Sequence, residues 1–224
     1  MPLPEEGLSF VRLSAKEKVY ETVKNWIIEG QFQPGERISD IEIASYMKVS
    51  RTPVREAFQM LEAQKLIKSY PGRATVVTDL ELDNIDKWYL PMGKLQQMAA
   101  ELASDHAGKM LVRRLRRLNE EFKDCTGDQE HPLSSFKADK AFHAAILEAA
   151  DNEYVTDFCN VLWVHIQRFE YRYFQDVVLE PSVEEHARMI DLLEQKDGKA
   201  AGELMKAHWE RSAALAREAN IAAE

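Results

Sequence analysis

The chain has 224 residues, 45% of them hydrophobic, and carries a formal net charge of −9 at pH 7; this is enough apolar material for two domains with separate cores. No run of about 18 apolar residues occurs to span a membrane as a helix, and the N-terminal MPLPEEGLSF lacks the basic start and apolar stretch of a secretory signal, so a cytoplasmic protein is expected. Cys125 and Cys159 have no CxxC or His-rich partner spacing and read as free thiols without a functional role.

In chain order, Ser14-Ala15-Lys16-Glu17 is a capping box, followed by Val19, Val23, Trp26 and Ile27 at helical spacing and by Gly30 as a stop. Ser39 and Glu42 form a second box that opens a short helix with Ile43, Ala44 and Met47 on its apolar side. Ser50 is a third N-cap, and Pro53 falls in the first turn, where its missing amide hydrogen costs nothing. The helix it opens runs from Arg51 to about Gln64. Val54, Ala57, Phe58 and Leu61 line one of its faces, while Arg51, Thr52, Arg55 and Gln59 lie away from that face or at its edge. Leu66 and Ile67 then begin a strand, Tyr70-Pro71-Gly72-Arg73 makes a turn, and Ala74 to Val77 returns, with Arg73 at the tip. Three helices and this wing predict a winged helix-turn-helix domain over residues 1–78.

The leading end of the third helix carries two hydroxyls, Ser50 and Thr52, and two guanidiniums, Arg51 and Arg55, at the positive end of the helix dipole. Such an end suits phosphates and base edges, because arginine's fork binds guanine or a phosphate oxygen pair bidentately. The net charge of −9 argues against a nucleic-acid partner only until its distribution is counted. Residues 1–78 carry a net of +1 and the remainder −10, and over residues 51–73 five basic groups face only Glu56 and Glu62. The expected reading surface is locally positive, as phosphate neutralisation requires.

After Thr78 the strand signals stop. Helical periodicity predicts an all-α bundle over residues 79–224, with helices near 82–105, 109–125, 133–150, 152–175, 182–196 and 198–220. Pro91 should kink or divide the first of these, and Ser182 with Glu185 reads as a further capping box. Arg113, Arg114, Arg116 and Arg117 are spread around Leu111, Leu115 and Leu118, which marks a solvated or dimer-bridging face rather than a DNA contact. His106, His131 and His165 have no matching partners.

In the bundle, Asp139 and His143 share a face with Phe136, Ile146, Leu147 and Ala150. His186 lies on the stripe of Val183, Met189, Ile190 and Leu193, and His208 lies among Leu204, Ser212 and Leu215. Burying these groups unpaired is costly. Three inward imidazoles and one inward carboxylate on three helices suit a divalent metal ion such as Zn, Ni, Mn or Fe. Asp139, three neutral histidines and a divalent cation sum to +1, so a small organic acid should bind beside the ion. Arg168 and Arg172, on HIQRFEYRYF, are the candidates for a charge-assisted second contact.

The QFQPGERIS connector and the VSRTPVREAF run resemble the DNA-binding domain of GntR-family transcription regulators, over roughly residues 13–77. FKADKAFHAAILEAADNEYV, EEHARMIDLLEQKD and AHW resemble the FCD effector domain of that family's FadR subfamily, over residues 80–220, and six helices suit its smaller, VanR-like branch. The resemblance implies that Ser50, Arg51, Thr52 and Arg55 contact DNA, that Gly72 enters the minor groove, and that Asp139, His143, His186 and His208 bind a metal ion. Two positions depart from the family pattern. Ile41 stands where some members have an arginine that touches the operator, and Met92 stands near a pocket-facing arginine, with Lys94 and Tyr89 as the nearby alternatives. The expected function is a homodimeric repressor that binds double-stranded operator DNA and is released by a small organic acid. The competing readings are a metal-dependent enzyme acting on a small carboxylate, for which no general acid or base stands out, and a bundle that the metal merely staples.

Overall fold

The computed structural model describes residues 14–70, 74–80, 82–126, 132–174 and 179–223. The chain divides between Asp79 and Leu80 into two compact units.

The first unit begins with α1 (Ala15–Ile28), whose capping box is formed in both directions: the Glu17 amide donates to Ser14 Oγ at 3.2 Å and the Ser14 amide donates to Glu17 Oε2 at 2.7 Å. In α2 (Asp40–Met47) Ser39 accepts from the Glu42 amide at 3.3 Å, the first half of the expected box. Lys48, at φ 55°, then turns the chain through the left-handed region. α3 (Arg51–Ala63) follows, with Ser50 at its N-cap. The Ser50 backbone is extended as a cap requires, yet its hydroxyl makes no capping bond and the residue stays exposed. Val54, Ala57, Phe58 and Leu61 are buried, as their spacing predicts, against Val19, Val23 and Ile27 of α1 and Ile43 of α2.

The wing is a three-stranded antiparallel sheet in the order β1-β3-β2, made of β1 (Arg37–Ile38), β2 (Ile67–Ser69) and β3 (Thr75–Val77). β2 and β3 are the predicted hairpin. β1 was not predicted, because two residues are too few to show alternation. It forms where the Gly35 amide donates to the Val77 carbonyl and the Val77 amide to the Glu36 carbonyl, which seats Arg37 opposite Val76.

The second unit contains α4 (Ile85–His106), α5 (Lys109–Cys125), α6 (Pro132–Ala149), α7 (Glu153–Tyr173), α8 (Glu180–Glu194) and α9 (Gly198–Ala223) around one apolar core. α4 runs through Pro91 without being divided. α8 starts two residues earlier than predicted, with Pro181 in its first turn, where proline is tolerated. Ser182 and Glu185 are therefore inside the helix and do not cap it. No helix among the described residues is long and apolar enough to cross a membrane.

α4 and α9 make the most extensive helix contact of the bundle. They run antiparallel, since Gly93 faces Trp209, Glu101 faces Gly202 and Ser104 faces Gly198. Small residues permit the close approach: a Cβ on Gly202 would lie 2.6 Å from Glu101 Cγ and 3.1 Å from the Gln97 carbonyl oxygen. Gly202→Leu is expected to force this seam apart and to destabilise the helical unit by about 1–3 kcal/mol, as over-packing typically does. Urea unfolding followed by circular dichroism would check it, and an unchanged midpoint would show that the seam is not close-packed.

Candidate metal centre and DNA-reading surface

Asp139 and His143 lie one turn apart on α6, His186 comes from the middle of α8 and His208 from α9, and the bundle brings one donor atom of each to within 4.8 Å of all the others. His143 Nε2 lies 3.8 Å from Asp139 Oδ2, and His186 Nε2 lies 3.6 Å from Asp139 Oδ1. Both are too long for hydrogen bonds, so these groups are neighbours and not partners. His186 Nε2 and both ring nitrogens of His143 are buried without a hydrogen-bond partner among the described residues. A first coordination shell with donors about 2.1 Å from an ion spans about 4 Å. The donor set and its orphaned nitrogens therefore fit a divalent cation.

A second layer of residues orients the rings. Asn119 on α5 places Oδ1 3.2 Å from His186 Nδ1 while its amide donates to the Val183 carbonyl at 3.0 Å. Glu185 places Oε2 2.6 Å from His208 Nδ1 and accepts from Arg211 Nε at 2.8 Å and Nη2 at 2.7 Å, and Arg211 Nη2 also donates to Ser182 Oγ. With protons on Nδ1, both rings turn Nε2 lone pairs toward the centre. Phe142 stacks on His186 at 3.9 Å between centroids and fixes its plane.

Burial holds His143 and His186 well below the usual imidazole range, which keeps them neutral, the ligating form. Burial likewise raises the Asp139 carboxyl to about 6 against the opposing pull of His208 and Arg211, although a quarter of its side-chain surface stays open. Burial would also raise Glu185, but the bonds from His208 and Arg211 outweigh it and bring that carboxyl down to about 2. Near Asp139, Glu170 on α7 accepts from the fully buried Tyr89 hydroxyl at 3.1 Å. Burial and the charge of Asp139 push Glu170 up to about 8.

The two candidate effector arginines lie on α7. Arg168 is buried and Arg172 is exposed with its guanidinium 5.8 Å from the Tyr173 ring. Each is two residues from Glu170, about 200° around α7. The charge of Arg211 also acts at Asp139. Arg211, Glu185, Asn119 and Glu170 were not singled out from the sequence as site residues. Asn119 carried a usable signal, a polar side chain on the stripe of Leu115, Leu118 and Phe122, whereas Glu185 was read as a cap.

In the first unit, Ser50, Arg51, Thr52 and Arg55 are all exposed at the leading end of α3, and Ile41 on α2 is exposed beside them. Gly72 and Arg73 lie outside the described residues. The Tyr70 amide donates to the Ala74 carbonyl at 3.1 Å, next to the β2–β3 pairing.

Comparison with known proteins joins the two halves. Residues 15–77 match the model of the bacterial regulatory proteins of the gntR family, and residues 92–211 match that of the FCD domain. The chain belongs to the GntR family and carries an FCD domain. It is similar to the HTH-type transcriptional regulator YdhC of Bacillus subtilis, 28% identical over 200 residues that cover 85% of each chain. A probable D-xylose utilization operon transcriptional repressor of Paenarthrobacter nicotinovorans is 25% identical, with 88% of this chain and 86% of that protein covered. Escherichia coli McbR/YncC has the same fold, with a TM-score of 0.76 at 20% identity over 92% of this chain and 99% of that one. This GntR regulator is thus a DNA-binding transcription factor and not an enzyme. All four clustered donors fall inside the FCD match, and the exposed end of α3 falls inside the gntR match.

Glu170 has a folded-state pKa of about 8 against an ordinary value of 4.5, so the folded regulator binds the proton more tightly than the unfolded chain does. Its favourable contribution is present below about pH 4.5 and is lost as pH rises through 8. Metal-free Glu170→Gln should therefore melt progressively higher than wild type as pH is raised across that window, and parallel Tm curves for the two proteins would contradict the assignment.

Proposed function

We propose that this GntR regulator is a homodimeric repressor that binds operator DNA and is released when a small organic acid occupies a divalent ion held by Asp139, His143, His186 and His208. The reading is carried by one observation: among the described residues His143 and His186 keep ring nitrogens buried and unpartnered within a cluster of four donors, while Asn119 and Glu185 hold the outer nitrogens of His186 and His208. A buried polar atom left unpaired costs about 1–3 kcal/mol, and a cation removes that penalty at several atoms together. Zn, Ni, Mn and Fe all accept this donor set. When bound, the ion supplies a net charge of +1 with Asp139 and attracts a carboxylate. Glu185 neutralises Arg211, so the ion is the main source of that attraction. Glu170 and Tyr89, which are hydrogen-bonded to each other near Asp139, offer polar groups rather than positive charge, which favours a hydroxy or sugar acid over a simple dicarboxylate.

On the DNA side, Ser50, Arg51, Thr52 and Arg55 would meet bases and phosphates from α3, with Gly72 and Arg73 reaching the minor groove from the wing. Helix-turn-helix dimers read half-sites about one helical turn apart, so an effector-driven rotation of two subunits weakens operator binding. Loss of one base-reading arginine typically costs about 1–3 kcal/mol. Arg55→Ala is expected to lose affinity on this scale for a duplex that wild type selects from a randomised pool, and undiminished binding in a gel-shift titration would reject the role of Arg55.

The metal reading is tested by thermal shift on the full chain. A chelator should lower Tm, one of the four metals should restore it, and His186→Ala should abolish the response. A panel of hydroxy and sugar acids should then raise Tm only in the metal-loaded protein, by mass action. Chelator-insensitive melting overturns the ion. A metal response without any acid response leaves the ion a structural staple.

A further inference from the structure

Asp40, the first residue of α2, is tied to both arginines at the head of α3. Its Oδ2 accepts from Arg51 Nη2 at 2.9 Å and from Arg55 Nε at 2.8 Å, and Arg51 closes further contacts through Nε at 3.3 Å and through Nη2 to Oδ1 at 3.2 Å. The carboxylate is the more enclosed partner, 22% exposed against 49% and 64% for Arg51 and Arg55. Among the described residues Arg55 donates only through Nε, and with its side chain 64% exposed both terminal nitrogens stay available as the fork that fits guanine O6 and N7. Among the described residues Arg51 bonds through Nε and Nη2 and not through Nη1, and its side chain is 49% exposed.

We infer that Asp40 is a positioning residue for DNA recognition: its carboxylate holds Arg51 and Arg55 in the orientation that reads bases and withholds them from indiscriminate phosphate contact. The inference rests on the reading of these two arginines as DNA contacts. Three physical consequences support it. A shared acceptor oxygen fixes the spacing of two otherwise flexible side chains, so less rotamer freedom is lost on docking. The three groups together carry +1 instead of +2, which weakens sequence-independent attraction to phosphates. Bonds from Arg55 and then Arg51 keep the Asp40 carboxyl below its ordinary range despite partial burial, so the clamp is charged at neutral pH.

The experiment compares wild type, Asp40→Asn, Asp40→Glu and Arg55→Ala, each as the full chain, on a duplex that wild type selects from a randomised pool and on a scrambled duplex of equal length. Asp40→Asn should bind the scrambled duplex more tightly, steepen the salt dependence of log K by up to about 1, and lower the selected-to-scrambled affinity ratio about tenfold or more. Asp40→Glu, which restores the charge, should recover part of that ratio. Slow motion of the Arg55 Nε–Hε group, measured by 15N relaxation in the free protein, should become fast in Asp40→Asn. A wild-type ratio in Asp40→Asn alongside a deficient Arg55→Ala overturns the inference about Asp40 alone. Undiminished discrimination in Arg55→Ala, or failure of wild type to select any sequence, overturns the DNA-contact reading beneath it. A stability loss in Asp40→Asn with an unchanged ratio and unchanged Arg55 dynamics reduces Asp40 to a structural ion pair and likewise overturns the proposal.

Discussion

Unpaired imidazole nitrogens in an apolar bundle set the terms for the effector unit. Each such group carries a desolvation penalty that packing alone does not offset, and the surrounding residues are arranged to limit where that penalty falls. Asn119 and Glu185 satisfy the outer nitrogens of His186 and His208, and Arg211 with Ser182 satisfies Glu185 in turn. Among the described residues, what remains unsatisfied in this cluster is Nε2 of His186 and both ring nitrogens of His143. The helix that carries His208 reaches this position because glycines on α4 and α9 let the two backbones approach closely. A change in a remote seam thus bears on the donor geometry through ordinary packing.

The reading head obeys a different constraint. The side chains proposed to meet DNA are exposed, so their ionisation costs little and their precision must come from contacts rather than from burial. α3 supplies the platform through a fully buried inner face, and the free Ser50 hydroxyl shows that the cap position is met by backbone conformation alone. The carboxylate of Asp40 supplies the lateral order that solvent-exposed arginines lack.

Charge is divided to match. The first unit is close to neutral and the second strongly acidic, so long-range attraction to DNA is modest and favours the head over the bundle. The arginine-rich helix α5 is consistent with that division: Arg114 pairs with Glu148, Arg116 with Asp191 and Glu194, and Arg117 with Glu121 on the solvated surface. Surface pairs of this kind add little stability, but they partly neutralise the cationic side of that helix. Cys159 is equally structural, its thiol pushed up to about 12 by burial.

Much was legible in the sequence where local rules act alone. Capping at Ser14 and Ser39, the apolar stripe of α3 and the six helical periods of the bundle follow from spacing, and so do the inward faces of Asp139, His143, His186 and His208, because helical period fixes direction once a core exists. Where the rules were local but ambiguous, the sequence misled: Ser182 and Glu185 have the spacing of a cap, yet α8 starts earlier and they serve a network that reaches α9. Contacts made across the chain were invisible. Asp40 meets Arg51 and Arg55 from another helix, Asn119 meets His186 from α5, and Arg211 of α9 acts at Asp139 of α6. By itself the sequence determined which faces turn inward and which residue types they carry, since that depends on the period of one helix. Only the tertiary structure decided which polar groups meet, since that depends on how separate helices pack at distances no spacing rule encodes.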